Sequence, residues 1–230
     1  MELRLNHEGI LIGAWLGHRS ECIIYCPGLP QYVSKYHPIV RAAERTGVNL
    51  FVPRYRGTWE SDGTFSVASS VQTVDAIIRL VKEGHASELF SHQHVVWTCE
   101  RVILIGFSYG ALPALLSKEH TNRIALIAPF TNTIMHEENY PGDLHRTLEF
   151  LRRGYPHVYR FEDDKFLTEL SHIEYPDVRD NLVVIYGAED QTVSNDEIEW
   201  LRGKYNANIQ RIKGGHSSDI GDEVLMSLLR

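Results

Sequence analysis

Apolar and polar residues alternate at the start of the chain: Leu3 and Leu5, then His7-Glu8-Gly9, then Ile10, Ile12 and Ala14. Period-two alternation on both sides of a short polar break predicts a β-hairpin with one buried face. Residues 21–26 form a short apolar run that ends at Pro27-Gly28, and 48–52 form another before Pro53. Between them, 35–46 have helix-compatible composition, with Gly47 where a helix C-terminal cap belongs. Over 67–82, Val67, Val71, Val74, Ile77, Ile78 and Val81 recur at helical spacing until Gly84 closes the pattern. The polar stretch that follows, from Gly84 to His94, reads as loop.

The second half repeats the rhythm. Residues 102–105 are wholly apolar, too short for a helix and suited to a strand covered on both faces. A helix over 109–118, strands at 123–128 and 181–186, a helix near 194–201, a strand at 208–212 and an amphipathic helix over 218–229 complete the series. Strands alternating with helices predict the α/β class: a mostly parallel sheet with an N-terminal antiparallel hairpin and helices on both faces. Residues 131–177 interrupt this rhythm. They are rich in aromatics (Tyr140, Phe150, Tyr155, Tyr159, Phe161, Phe166, Tyr175) and too numerous for a bare loop in a compact domain. We read residues 1–230 as a single domain in which 131–177 form a small helical insertion over one end of the sheet.

Composition narrows the function. The chain carries 23 Lys+Arg against 30 Asp+Glu, a net charge of −7. With no basic excess to displace counterions from phosphates, nucleic acid is not expected as a partner. The three cysteines, Cys22, Cys26 and Cys99, are too few and odd in number for a secreted disulfide framework, which points to a reducing, cytoplasmic setting. Cys22 and Cys26 flank strand residues and read as small core hydrophobes rather than metal ligands. Twelve histidines are scattered, and His92-Gln93-His94 reads as a solvated loop rather than a metal site. Residues 1–9 lack the uninterrupted apolar stretch expected of a signal peptide, and no apolar run reaches the length of a membrane span.

Gly106-Phe107-Ser108-Tyr109-Gly110 fits Gly-x-Ser-x-Gly, with an apolar strand before it and an apolar helix after it. A nucleophilic serine must project from a strained strand-to-helix turn, where side chains two residues either way would collide. The helix that starts there aims its dipole at developing negative charge. The bland alternative is a tight turn in which Ser108 only caps the helix. Serine also needs a base within hydrogen-bond reach. His216, in Lys213-Gly214-Gly215-His216-Ser217-Ser218, sits on a loop between a short strand and the last helix. Asp190, just past the strand at 181–186, is placed to hold the imidazole, with Glu189 as the rival carboxylate. Asp196 and Asp219 start helices and read as caps or first-turn acids. The chain order Ser108, Asp190, His216 is the order of an α/β-hydrolase.

Outside 131–177, the sequence resembles the α/β-hydrolase superfamily over nearly its whole length. Four motifs carry the resemblance: Pro27-Gly28-Leu29-Pro30 after a strand, Arg54-Tyr55-Arg56-Gly57 through Ser61-Asp62-Gly63, the Gly106–Gly110 turn, and the Asp190 and His216 loops. The second is similar to the Arg-Gly-x-Gly-x-Ser stretch of esterases, thioesterases and serine aminopeptidase-like members. The resemblance implies the α/β-hydrolase fold, a cap formed by about 131–177, and an oxyanion hole made by the backbone N–H groups of Tyr109 and Leu29. This chain has Pro27-Gly28 where a His-Gly pair is common, and Pro30 has no N–H to offer. The implied activity is a serine hydrolase acting on a small acyl substrate (a carboxylic ester, thioester or amide), ester more than peptide, with no cofactor and no metal. Two alternatives stand beside it: a small peptidase related to the prolyl-oligopeptidase group, and a binding protein with a vestigial site. Arg54 and Arg56 are read as substrate anchors or, more simply, as ion-pair partners of Glu60 or Asp62 within their own loop.

Overall fold

The structure, a computed structural model, describes residues 2–162, 164–216 and 222–229. The hairpin comprises β1 (Leu3–His7) and β2 (Ile10–Trp15), paired antiparallel with Leu5 opposite Ile12. β2 is buried on both faces rather than one, because Leu11 and Trp15 are covered as fully as Ile10, Ile12 and Ala14. β3 (Glu21–Cys26), β4 (Asn49–Pro53), β7 (Arg101–Phe107), β8 (Arg123–Ile127), β9 (Leu182–Gly187) and β10 (Asn208–Ile212) extend it to an eight-stranded sheet. Its order is β1-β2-β4-β3-β7-β8-β9-β10, antiparallel only at β1–β2 and β2–β4. The central strands are apolar at successive positions because both of their faces are covered.

Two groups of helices cover it. α1 (Pro38–Thr46) packs on β2 and β4 and against α8 (Asp222–Leu229), while α2 (Val67–Glu83) crosses β3, β4 and β7 and meets α3 (Ala111–Leu116). Arg101 and Arg123 bind the carbonyls of Leu229, Ser227 and Leu228, so two strand residues cap the C-terminal end of α8. No helix of the described residues is long and apolar enough to cross a membrane.

Three local expectations change. α1 begins at Pro38 instead of 35, because Pro38 suits a first helical turn and the His37 ring accepts the Ile39 N–H as a cap. The stretch read as loop from Gly84 holds two short antiparallel strands, β5 (His85–Ser87) and β6 (His94–Val96), with His85 and His94 rings 5.5 Å apart. The helix read over 109–118 is a 3-10 turn at Ser108–Gly110 followed by α3, which stops at Ser117. The Asp219 expectation lies outside the described residues.

The insertion is helical, as its composition requires: α4 (Thr133–Asn139), α5 (Asp143–Gly154) and α6 (Lys165–Leu170), with α7 (Asn195–Tyr205) following β9. Between α5 and α6 it pairs with residues 58–65 through bridges Thr58–Tyr159 and Phe65–Phe161. Phe65 is fully buried there, with the rings of Tyr109, Tyr159, Phe161 and Phe166 centred 5.2–5.6 Å away. Such pairs are each worth about 0.5–1.5 kcal/mol beyond area burial. Most of the insertion's aromatics therefore build a core shared with the rest of the molecule, while Phe150 stays exposed.

Candidate active site

β7, an interior strand, delivers Ser108 to the C-terminal end of the sheet's strands, and the 3-10 turn carries the chain away from it. Ser108 has φ of 50°, a left-handed conformation that costs a non-glycine residue roughly 1–2 kcal/mol. Both flanking glycines are needed for space. A Cβ on Gly106 would lie 2.5 Å from the Gly110 carbonyl oxygen, and one on Gly110 would lie 2.0 Å from the Cys26 carbonyl oxygen. The turn is thus wedged against the end of β3. The Tyr109 side chain anchors it from beneath by donating to Ser70 Oγ at 2.9 Å in a buried pair.

The Ser108 Oγ lies 3.0 Å from His216 Nε2. On the other side of that ring, Nδ1 lies 3.0 Å from Asp190 Oδ2 and 3.3 Å from Oδ1. Two loops meet to achieve this. A Cβ on Gly187, at the end of β9, would sit 2.3 and 2.4 Å from the carbonyl oxygens of Gly214 and Gly215, so the His216 loop runs directly over the strand end. Ala188 N–H donates to Ile212 O and Glu189 N–H to Gly214 O, which fixes one loop on the other. The Phe107 ring packs against the imidazole at 5.4 Å.

Asp190 rather than Glu189 faces His216. Its side chain is 1 % exposed and His216's is 25 % exposed, while Glu189 lies on the surface. Burial opposes ionisation of Asp190, but hydrogen bonds from His216 and from the N–H groups of Thr192 and Val193 outweigh it and hold the carboxyl below its ordinary value. An ionised, buried carboxylate beside Nδ1 leaves Nε2 free to accept from the serine.

The turn after β3 lies against the serine: a Cβ on Gly28 would come 3.0 Å from Ser108 Cβ. Gln31 closes this turn, its side-chain oxygen accepting the Gly28 N–H and its own N–H donating to Gly28 O. The Leu29 N–H has no acceptor among the described residues. A cleft opens beside Leu29, walled by Tyr32, Arg54, Trp59 and Tyr159. Arg54 pairs with Glu60 in its own loop and donates to Tyr32 Oη, but Arg56 reaches outside the loop to Glu8. Neither pairs with Asp62, whose N–H is instead held by Gly9 O. Asp196 sits in the first turn of α7 behind the Ser194 cap, the place expected of a first-turn acid.

Two residues with a bearing on the site carry no motif. Phe130 N–H donates to Ser108 O at 3.1 Å, which fixes the serine backbone from the end of β8. Glu197 is 1 % exposed and accepts from Thr131 N–H, Thr131 Oγ1 (2.7 Å) and Asn132 N–H (2.9 Å), just past Phe130. In sequence, Glu197 three residues after the Ser194 cap signals a capping box. In the fold its carboxylate turns to the insertion instead. At the far end of the insertion, Tyr175 Oη donates to Thr131 O at 2.7 Å. Among the described residues, no group of three or more His, Cys, Asp or Glu is arranged around a metal position.

A family model described as the alpha/beta hydrolase family matches residues 23–218. No curated protein sequence gives a significant match. Among solved structures, Est1E from Butyrivibrio proteoclasticus with bound ferulic acid is 14% identical, covering 98% of this chain and 95% of that one with a TM-score of 0.65. An esterase from Pyrococcus furiosus is 15% identical, covering 100% and 89% with a TM-score of 0.63. A serine hydrolase without lid from Xanthomonas campestris is 17% identical, covering 100% and 91% with a TM-score of 0.58. At these identities the likeness is one of fold.

Proposed function

The chain belongs to the alpha/beta hydrolase family, and we propose that it is a serine hydrolase that cleaves a carboxylic ester, thioester or amide through Ser108, His216 and Asp190. One observation carries this reading: the continuous hydrogen-bonded line from Ser108 Oγ through both nitrogens of His216 to the buried Asp190 carboxylate. Ser108 Oγ attacks the carbonyl carbon while His216 Nε2 takes its proton. Asp190 holds the ring in the tautomer that accepts at Nε2 and stabilises the imidazolium that forms. Tyr109 N–H and Leu29 N–H donate to the oxygen as it gains charge, a contribution of roughly 3–4 kcal/mol per donor in comparable sites. His216 then protonates the leaving group, and water releases the acyl group by the same route.

The cleft beside Leu29, walled by Tyr32, Trp59 and Tyr159, holds about 30 Å³, room for a water-sized group rather than an acyl chain. The names of two structural neighbours, an esterase and a complex with an aromatic acid, agree with an ester as the bond cleaved. The test is labelling by a fluorophosphonate together with turnover of short-chain p-nitrophenyl esters. The wild type is expected to label at Ser108 and to turn over, whereas Ser108→Ala loses labelling and about 10⁴–10⁶-fold of the rate with an unchanged circular-dichroism spectrum. Undiminished turnover by Ser108→Ala would overturn the assignment. A panel of acyl esters, thioesters and aminoacyl amides then ranks the bond types.

A further inference from the structure

Tyr55, inside the Arg54–Gly63 motif, is buried and touches both segments whose N–H groups are assigned to the oxyanion. Its Oη donates to Pro27 O at 2.9 Å, two residues before Leu29, and its ring meets the Tyr109 ring edge-on at 5.7 Å. The motif's hydroxyl residues hold Tyr55 where it is. Thr58 donates to Tyr55 O through both its N–H (2.9 Å) and its Oγ1 (2.8 Å), and Ser61 Oγ donates to Arg54 O at 2.8 Å.

Gln31 grips the same turn one residue further on. Its Oε1 accepts the Gly28 N–H at 3.1 Å and Tyr25 Oη at 3.2 Å, while its own N–H donates to Gly28 O at 3.0 Å. Leu29 therefore follows one residue held at its carbonyl and another held at both backbone groups. The clamped turn presses on the serine turn: a Cβ on Gly110 would lie 2.8 Å from Pro27 O, and one on Gly28 would lie 3.0 Å from Ser108 Cβ. We propose that Tyr55 and Gln31 are the positioning residues of the oxyanion hole, which together set where the Leu29 N–H stands relative to Ser108. This rests on Ser108 as the nucleophile and on the Leu29 N–H as a donor to the oxyanion.

The turn needs such a clamp because it has little of its own. Pro27 has no N–H to pin it, and Gly28 has no Cβ to restrict its rotation. An oxyanion donor acts only when its N–H already points at the place where charge develops, and a displacement of about 1 Å costs on the order of 10²-fold in rate. Tyr55→Phe keeps the ring against Tyr109 and removes only the bond to Pro27 O. Gln31→Ala releases the Gly28 N–H and leaves Tyr55 in place. Each variant loosens the Leu29 N–H while Ser108, His216 and Asp190 keep their own contacts, so the loss falls on the transition state rather than on substrate binding.

The test measures kcat and KM for a short-chain p-nitrophenyl ester, and the affinity of a short-chain trifluoromethyl ketone, in the wild type and both variants. Ser108 Oγ adds to the ketone carbon as His216 takes the proton, and the resulting hemiketal oxyanion occupies the hole. Each variant is expected to lower kcat about 10–100-fold, with KM and the shape of the pH profile unchanged. Ketone affinity should weaken by the same factor as kcat/KM. A kcat within about twofold of the wild type in either folded variant, a change in KM alone, or a ketone affinity that does not follow kcat/KM would each overturn the proposal. Should Tyr55→Phe not fold, Gln31→Ala, at a half-exposed position, decides alone. A wild type that no fluorophosphonate labels would remove the serine-hydrolase reading and this one together, whereas a labelled wild type with unaffected variants removes this one only.

Discussion

At Ser108 the backbone stores strain: φ is 50°, and the turn persists because Gly106 and Gly110 leave room for backbone to press on backbone. His216 is held less rigidly, by an aromatic contact and two hydrogen bonds, so its orientation depends on Asp190. Asp190→Asn is expected to lower kcat for a p-nitrophenyl ester by roughly 10³–10⁴-fold, since an amide in that place favours the tautomer with the proton on Nε2. Glu189→Gln should change kcat by no more than about twofold, as befits an exposed side chain away from the ring. Initial rates of the two variants, side by side, separate the adjacent carboxylates. At this scale the meeting of Ser108, His216 and Asp190 was legible because each sits at a strand end in a recognisable local setting, a glycine-flanked turn for the serine and short loops for the other two. Phe130 and Gln31 were not, because a backbone N–H belongs to every residue and a glutamine that closes a turn looks like any surface glutamine.

Among elements, the legible ones were those whose periodicity is driven by burial. β3, β7, β8 and β9 are apolar throughout, and α2 repeats its buried positions over several turns. β5 and β6 escaped notice because three exposed or half-exposed residues apiece carry no apolar signal. The insertion was legible as helical, but not in its placement, because what positions it is polar and long-range. Arg160 shows this best: its guanidinium donates to the carbonyls of Gly63 (3.2 Å), Trp59 (2.9 Å) and Ser61, and so rivets the chain between α5 and α6 to the loop after β4. Arg160→Ala is expected to cost about 1–3 kcal/mol through the lost charge-assisted bonds. Limited proteolysis should then cut within 131–177 faster than in the wild type. Arg160→Lys, which cannot fork across three carbonyls, should fall between the two.

For the molecule as a whole, Glu197 joins three regions: α7, the start of the insertion, and, through the Phe130 N–H next along the chain, the backbone of Ser108. Burial raises its pKa, against the hydrogen bonds of Asn132 and Thr131 and the nearby His136. A folded-state pKa above the unfolded value of about 4.3 contributes stability that is fully present below that unfolded value and is lost as pH rises through the folded one. Glu197→Gln keeps an acceptor without the charge, so urea midpoints for that variant should fall less than the wild type's between about pH 4 and neutrality. Glu197→Ala strands three buried donors and should cost about 3–5 kcal/mol at any pH. The net charge of −7 enters none of these balances and bears on solubility alone.

The bond from Tyr175 Oη to Thr131 O gives the insertion a property of its own. Its departure and return are fastened to one another, and the departure point is fastened independently to α7 by Glu197. A segment whose two ends are already joined transmits little tension to the strands that flank it. The sheet and its serine turn can therefore tolerate changes of length and sequence between those ends, provided that whatever replaces them still covers Phe65 and Tyr109. Thr131 and Tyr175 are the natural seams for exchanging this segment with one from another protein.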